Sequence, residues 1–125
     1  MKRFASHYLY IPLYGFLKQY VVEINNDGFV DALYPLREES ESIIWTPGVI
    51  SLVLPEQLSG IDKEWKGSNK NNIFFEHKQI KTELPAGYSN MEGLKMSVIR
   101  LYPFDFTQMQ PTENTILQIL DNYIF

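Results

Sequence analysis

A chain of 125 residues with Lys+Arg 11 against Asp+Glu 15, and so a net charge of -4, exerts no long-range attraction on phosphate backbones or anionic lipid, which argues against nucleic acid and membrane as partners. Hydrophobic residues make up 45% of it and aromatics 14%, a content that suits a packed, β-leaning core and excludes a disordered chain. With no cysteine, disulfides, thiolate nucleophiles and Cys-rich metal sites all drop out, in keeping with a cytoplasmic protein.

The chain begins Met1-Lys2-Arg3-Phe4-Ala5-Ser6-His7-Tyr8-Leu9-Tyr10-Ile11-Pro12. A basic start followed by apolar residues has the outline of a signal peptide. Ser6, His7 and Pro12 interrupt the apolar run, however, and no small-x-small cleavage site follows, so export is not expected. Nor does any stretch approach the ~18 uninterrupted apolar residues of a membrane-spanning helix.

Residues 7–13 read as a first strand, turning at Leu13-Tyr14-Gly15. From Phe16 to Ile24 the residues are β-branched and aromatic. A period of two puts Phe16, Tyr20, Val22 and Ile24 on one face and Gln19 and Glu23 on the other, the pattern of a half-buried strand. Asn25-Asn26-Asp27-Gly28 supplies residues that tolerate positive φ, and Phe29 to Leu36 completes a β-hairpin, in which Pro35 must end the pairing or lie at an edge. An acidic connection, Arg37 to Ser42, leads to Ile43-Ile44-Trp45, expected to be a short buried strand with Trp45 in the core. After the Pro47-Gly48 turn, Val49 to Leu54 is apolar except at Ser51, as in a strand covered on both faces.

Residues 63–72 have the composition of a surface loop, in which Trp65 is the better candidate of the two tryptophans for an exposed contact. Ile73 to Ile80 is a weaker strand, Leu84 to Tyr88 a turn, and Leu94 to Tyr102 another strand. In the tail from Pro111, apolar residues at 116, 117, 119, 120, 123 and 124 follow a threonine cap with helical spacing, which predicts a short C-terminal helix, although Ile and Thr also suit a strand. The expected architecture over 1–125 is a single β-rich domain, an antiparallel β-sandwich or open barrel with that helix packed on it.

Little in the chain carries chemistry. The histidines, His7 and His77, have no cysteine and no regular ligand spacing to complete a zinc shell, even with Glu23 or Asp105, and read as ordinary hydrogen-bonded or surface residues. No Gly-x-Ser-x-Gly elbow activates a serine, so Ser51, His77 and Asp105 do not make a triad. Glu38, Glu39 and Glu41 lack the apolar shielding that would raise a carboxyl into the range of general acid work. The densest run of distinctive side chains is Arg100 to Pro111. Within it Tyr102, Phe104, Asp105 and Phe106 are expected to form a stiff loop, with Asp105 bonding its own backbone; with Trp65, these are the candidate ligand or partner contacts.

The order of strand, Asn26-Asp27-Gly28 turn, strand, polar connection and Trp45-Thr46-Pro47-Gly48-Val49-Ile50 resembles the N-terminal composite β domain of metal-dependent amidohydrolases such as cytosine deaminases and dihydroorotases, over roughly the first fifty residues. In that family the Pro-Gly turn leads into a strand bearing His-x-His, and the small domain also takes strands from the far end of the chain, a part that Leu94 to Tyr102 would play. Here Ser51-Leu52-Val53 follows instead, and 125 residues fall well short of the ~250 of a closed barrel. The resemblance therefore implies a non-catalytic binding or interaction module, without cofactor, metal or catalytic residues, whose partner is a protein or small molecule. Edge strands bared by a missing barrel need covering, and self-association is one way to do it. The alternative is a small enzyme, or an accessory subunit of a hydrolase, with a site near Tyr102, Asp105 and His77.

Overall fold

The computed structural model describes residues 2–37, 42–58, 77–88 and 94–120. Among the described residues ten strands form two sheets: β1 Lys2–Ala5, β2 Tyr8–Ile11, β3 Gly15–Lys18, β4 Tyr20–Ile24, β5 Val30–Pro35, β6 Ile43–Trp45, β7 Val49–Val53, β8 Ile80–Lys81, β9 Ser97–Asp105 and β10 Gln110–Leu120. The smaller sheet runs β5-β4-β1-β6 and the larger β10-β9-β7-β2-β3-β8. Neither closes into a barrel. Both are mixed rather than antiparallel as expected, because β6 and β7 lie parallel to β1 and β2, and β8 parallel to β3.

Three long stretches of chain pass from one sheet to the other, and they do so along a common line. β1 and β2 are separated by Ser6 and His7, β4 and β3 by Gln19, β6 and β7 by Thr46-Pro47-Gly48. The antiparallel register runs through the crossing without slip, from Ala5↔Val21 to Tyr8↔Lys18, and the Gln19 N–H bonds the His7 carbonyl at 3.2 Å. Faces nevertheless exchange there. Phe4, Val22 and Ile24 share the inter-sheet core with Leu9, Ile11 and Leu17, whereas Tyr10 and Phe16 go to a second cluster with Val49, Val53, Ile99, Leu101 and Phe104. The expected uninterrupted strand from Phe16 to Ile24, with Phe16 and Tyr20 on one face, is therefore corrected. Gln19 sits at φ 55, and that left-handed residue resets the alternation.

Other expectations hold. Asn25 Oδ1 accepts the N–H groups of Asp27 and Phe29 and Gly28 has φ 86, so the polar tetrapeptide closes the β4–β5 hairpin, with Pro35 ending an edge strand. The strand expected over Val49 to Leu54 ends one residue earlier, with Leu54 39% exposed, but every residue of β7 is buried: Ile50 and Leu52 face the inter-sheet core, Val49 and Val53 the second cluster. Across β1 and β4, Arg3 and Glu23 stand directly opposite and pair at 2.9 Å, which holds the Arg3 guanidinium above its ordinary pKa.

The expected C-terminal helix is not found in residues 110–120, which form β10 and pair antiparallel with β9 from Gln110↔Asp105 to Leu120↔Val98, interrupted by a shift between Pro111 and Ile116. β-branched Thr112, Thr115, Ile116 and Ile119 favour the ladder, and Leu120 enters the inter-sheet core. Residues 121–125, with the rest of that prediction, lie outside the described residues, as do the 63–72 loop with Trp65 and residues 73–76 of the weaker strand. No described helix is long and apolar enough to cross a membrane.

Two tyrosines of the smaller sheet give the fold an alkaline limit. Burial first, and then the charge of neighbouring Glu23, raises the Tyr34 hydroxyl above its ordinary pKa; burial, with Tyr14 and Glu83 nearby, does the same for Tyr20. The folded state then holds protons that the unfolded chain releases near pH ~10, so stability is intact below that pH and falls as pH rises through the folded-state values. Urea midpoints measured from about pH 8 to about pH 11.5 should fall at the alkaline end, less steeply in Tyr20→Phe. A flat profile would show that neither hydroxyl is perturbed.

Candidate functional site

The line where the strands change sheets is also where aromatic rings reach the surface. Ser6 Oγ donates to the Gly48 carbonyl at 2.6 Å, and the Gly48 N–H donates to His7 Nδ1 at 3.1 Å. With Nδ1 committed as acceptor, the neutral imidazole carries its hydrogen on Nε2. The His7 ring lies between two others, edge-on to Trp45 at 5.3 Å and tilted against Phe106 at 5.1 Å between centroids. Phe106 also meets Tyr8 at 5.6 Å and Phe104 at 5.7 Å, and Phe104 reaches buried Phe16 at 6.1 Å. A continuous stack of rings thus runs from the second core cluster out to solvent, where it ends in a ledge: Trp45 is 45% exposed and Phe106 38%. Such ring pairs add roughly 0.5 to 1.5 kcal/mol each beyond their buried area, so the ledge is held in place rather than loosely displayed.

Each residue reaches this place for a local reason. Ile44 packs against the inter-sheet core, and in a strand its neighbour Trp45 must then point the other way. Trp45 is accordingly no core residue, contrary to expectation. Phe106 is presented by the turn after β9, where Asp105 Oδ1 accepts the N–H groups of Thr107 at 2.9 Å and Gln108 at 3.0 Å; the expected bonding of Asp105 to its own backbone is found, and it occupies that oxygen. Phe104 is buried and Tyr102 is 45% exposed, so of the four residues singled out between 102 and 106, Phe106 and Tyr102 face solvent. The region is continuous strand and tight turn, not a long stiff loop.

Arg100 on β9, directly opposite Ile50 of β7, is half-buried. Its Nε donates to the Pro47 carbonyl at 3.0 Å and a terminal nitrogen to Gln118 Oε1 at 3.2 Å, while the guanidinium lies 5.2 Å from the centre of the Tyr102 ring. Burial lowers its pKa, and Tyr102 partly offsets this. His77 is exposed, and no hydrogen bond or ring contact among the described residues joins it to Tyr102 or Asp105. Among the described residues, no three His, Cys, Asp or Glu side chains are grouped so as to hold a metal ion.

Sequence reasoning missed His7, Trp45 and Arg100. The signal for Trp45 was present in the alternation from Ile44, but the seam that joins His7 to Gly48 spans 41 positions and leaves no trace in either segment alone. Compared with protein-family models, with curated proteins and with solved structures, the chain matches none.

Proposed function

We propose that this protein is a non-catalytic binding module, related to the amidohydrolase β domain, whose ligand or partner docks on the ledge of Trp45, His7 and Phe106. The observation that carries the reading is an exposed aromatic surface held rigid from beneath by hydrogen bonds to Gly48 and by rings stacked into the core. Preorganised aromatic surface binds with little loss of conformational freedom, since few rotamers remain to be frozen. The kinship with the amidohydrolase domain is supported by the order of hairpin, polar connection and Pro-Gly turn, and by the return of β9 to pair with β7.

Metal analysis together with fragment binding followed by NMR tests this. Purified protein should hold no stoichiometric zinc or iron, and aromatic fragments should shift the Trp45 indole resonance saturably. Trp45→Ala with Phe106→Ala should remove those shifts while core resonances stay in place. Trp45→Ala alone should cost only about 1 kcal/mol, because the ring is half exposed and its loss forfeits one ring contact. Stoichiometric metal with hydrolysis of a cyclic amide would overturn the proposal in favour of a small hydrolase built near Tyr102, Asp105 and His77.

A further inference from the structure

We infer that two copies of this chain pair edge to edge through β10, antiparallel about a two-fold axis at Gln118, so that their larger sheets join into one. The inference goes beyond the ledge and does not depend on it.

Four strands lie at the edges of the two sheets among the described residues, β5 and β6 in the smaller, β8 and β10 in the larger. An edge presents backbone N–H and C=O groups that another strand can take up, and folded proteins blunt such edges with proline, charge, irregularity or shortness. Three of the four are blunted here: β8 has two residues and β6 three, while β5 carries Asp31 and ends in Pro35. β10 is guarded over its first half alone. There Pro111 has no N–H, the ladder with β9 shifts between Pro111 and Ile116, and Thr115 Oγ1 takes the Thr112 N–H at 2.7 Å. From Ile116↔Tyr102 to Leu120↔Val98 the ladder is regular, and the stretch Ile116-Leu117-Gln118-Ile119-Leu120 holds no charge and no proline. No described strand pairs with its outer side. Ile116 is 70% exposed and Ile119 41%, and alternation puts them on opposite faces of the sheet.

The residues of this stretch select the occupant. Two strands related by a two-fold axis perpendicular to the sheet run antiparallel and keep their faces, so each residue meets one of its own parity. With the axis at Gln118, Ile116 stands beside Leu120 of the second copy and Leu117 beside its Ile119. Apolar residues then meet on both faces, and the single polar position meets itself. A basic strand would find no carboxylate between Ile116 and Leu120, and an acidic one would be repelled by a chain of net charge -4. A second copy satisfies the backbone edge and both isoleucines together.

Sedimentation velocity of the full chain over a concentration series tests this. It should show a reversible monomer–dimer equilibrium that tightens as salt is raised, because two copies of net charge -4 repel at long range while no charge lies at the contact. Ile116→Lys should weaken the dimer at least about tenfold, since the substitution enters a two-fold interface twice and lysine on an edge opposes pairing. Ile116 is exposed, so the denaturation midpoint of the dilute monomer should not move. Ile80→Lys, at the exposed edge residue of β8, should leave the dimer intact. The chain has no cysteine, so Gln118→Cys introduces a single thiol, which a short bifunctional maleimide should link into a covalent dimer, unlike Lys81→Cys. A monomer at every concentration would overturn the inference, as would a dimer that Ile116→Lys spares or that Ile80→Lys abolishes. A monomer whose Ile116 and Ile119 amides shift only on adding an uncharged strand-forming peptide would give the edge to a foreign strand and overturn the second copy.

Discussion

Replacing Gly48 by valine is expected to destabilise the fold by about 2 to 6 kcal/mol, the sum of a strained backbone at about 1 to 3 and an overpacked contact at about 1 to 3. Gly48 has φ 109, where a β-branched residue is strained, and a Cβ built there would lie 2.2 Å from the Leu101 carbonyl oxygen and 3.0 Å from Tyr102 Cβ. The clash is with the backbone of β9 and cannot be relieved by a rotamer change. Its consequences spread along both neighbours, because the same residue bonds Ser6 through its carbonyl and His7 through its N–H. Alanine should cost nearly as much, since its Cβ meets the same oxygen. Chemical denaturation would measure the loss, and an unchanged midpoint in both variants would mean that β7 and β9 are not packed as described.

Removing the chain after Gln110 should cost several kcal/mol of a total that is ordinarily about 5 to 15, and the truncated protein should aggregate. The deletion strips the larger sheet of most of β10, leaving β9 from Val98 to Phe104 as a bare edge with unpaired backbone groups. It uncovers the inter-sheet core where Leu120 is 1% exposed, a residue whose replacement by alanine alone should cost about 2 to 5 kcal/mol. It also removes the Gln118 acceptor of Arg100 and the Thr115 hydroxyl that bonds the Pro103 carbonyl. Size-exclusion chromatography and denaturation of the truncated chain would decide. A monomer with an unaltered midpoint would show that β10 is an appendage.

What could be read from the sequence was what is decided locally. The β4–β5 hairpin and the buried β7 follow from alternation and turn residues close in the chain, and Asp105 bonds groups two and three residues away. The failures share a different origin. Gln19 adopts a left-handed conformation with no glycine or asparagine to mark it, so the exchange of faces between Phe16 and Tyr20 was invisible. The spacing of 116, 117, 119 and 120 imitates a helical stripe, but these residues do not share one buried face: Leu120 is inside and Leu117 leans on the second cluster, while Ile116 is 70% exposed. The hydrogen bond that fixes Arg100 left no local signal because the carbonyl it meets lies 53 positions away. The candidate site is assembled almost entirely from such distant pairs, which is why only Tyr102 and Phe106 among its exposed residues were anticipated.

The crossing of three strands between the sheets has a consequence for how this chain can change. Substitutions at His7, Gln19 or Trp45 alter what the surface offers, whereas the number of residues between β1 and β2, or between β4 and β3, sets which side chains face inward on either side of the line. One residue gained or lost in one arm would turn Tyr8 and Tyr10 toward the inter-sheet core and Leu9 and Ile11 away from it, against everything they now touch. The seam is thus a spacer of invariant length but replaceable lettering, and new binding preferences can arise there by exchange of side chains alone, with no loop to lengthen or shorten.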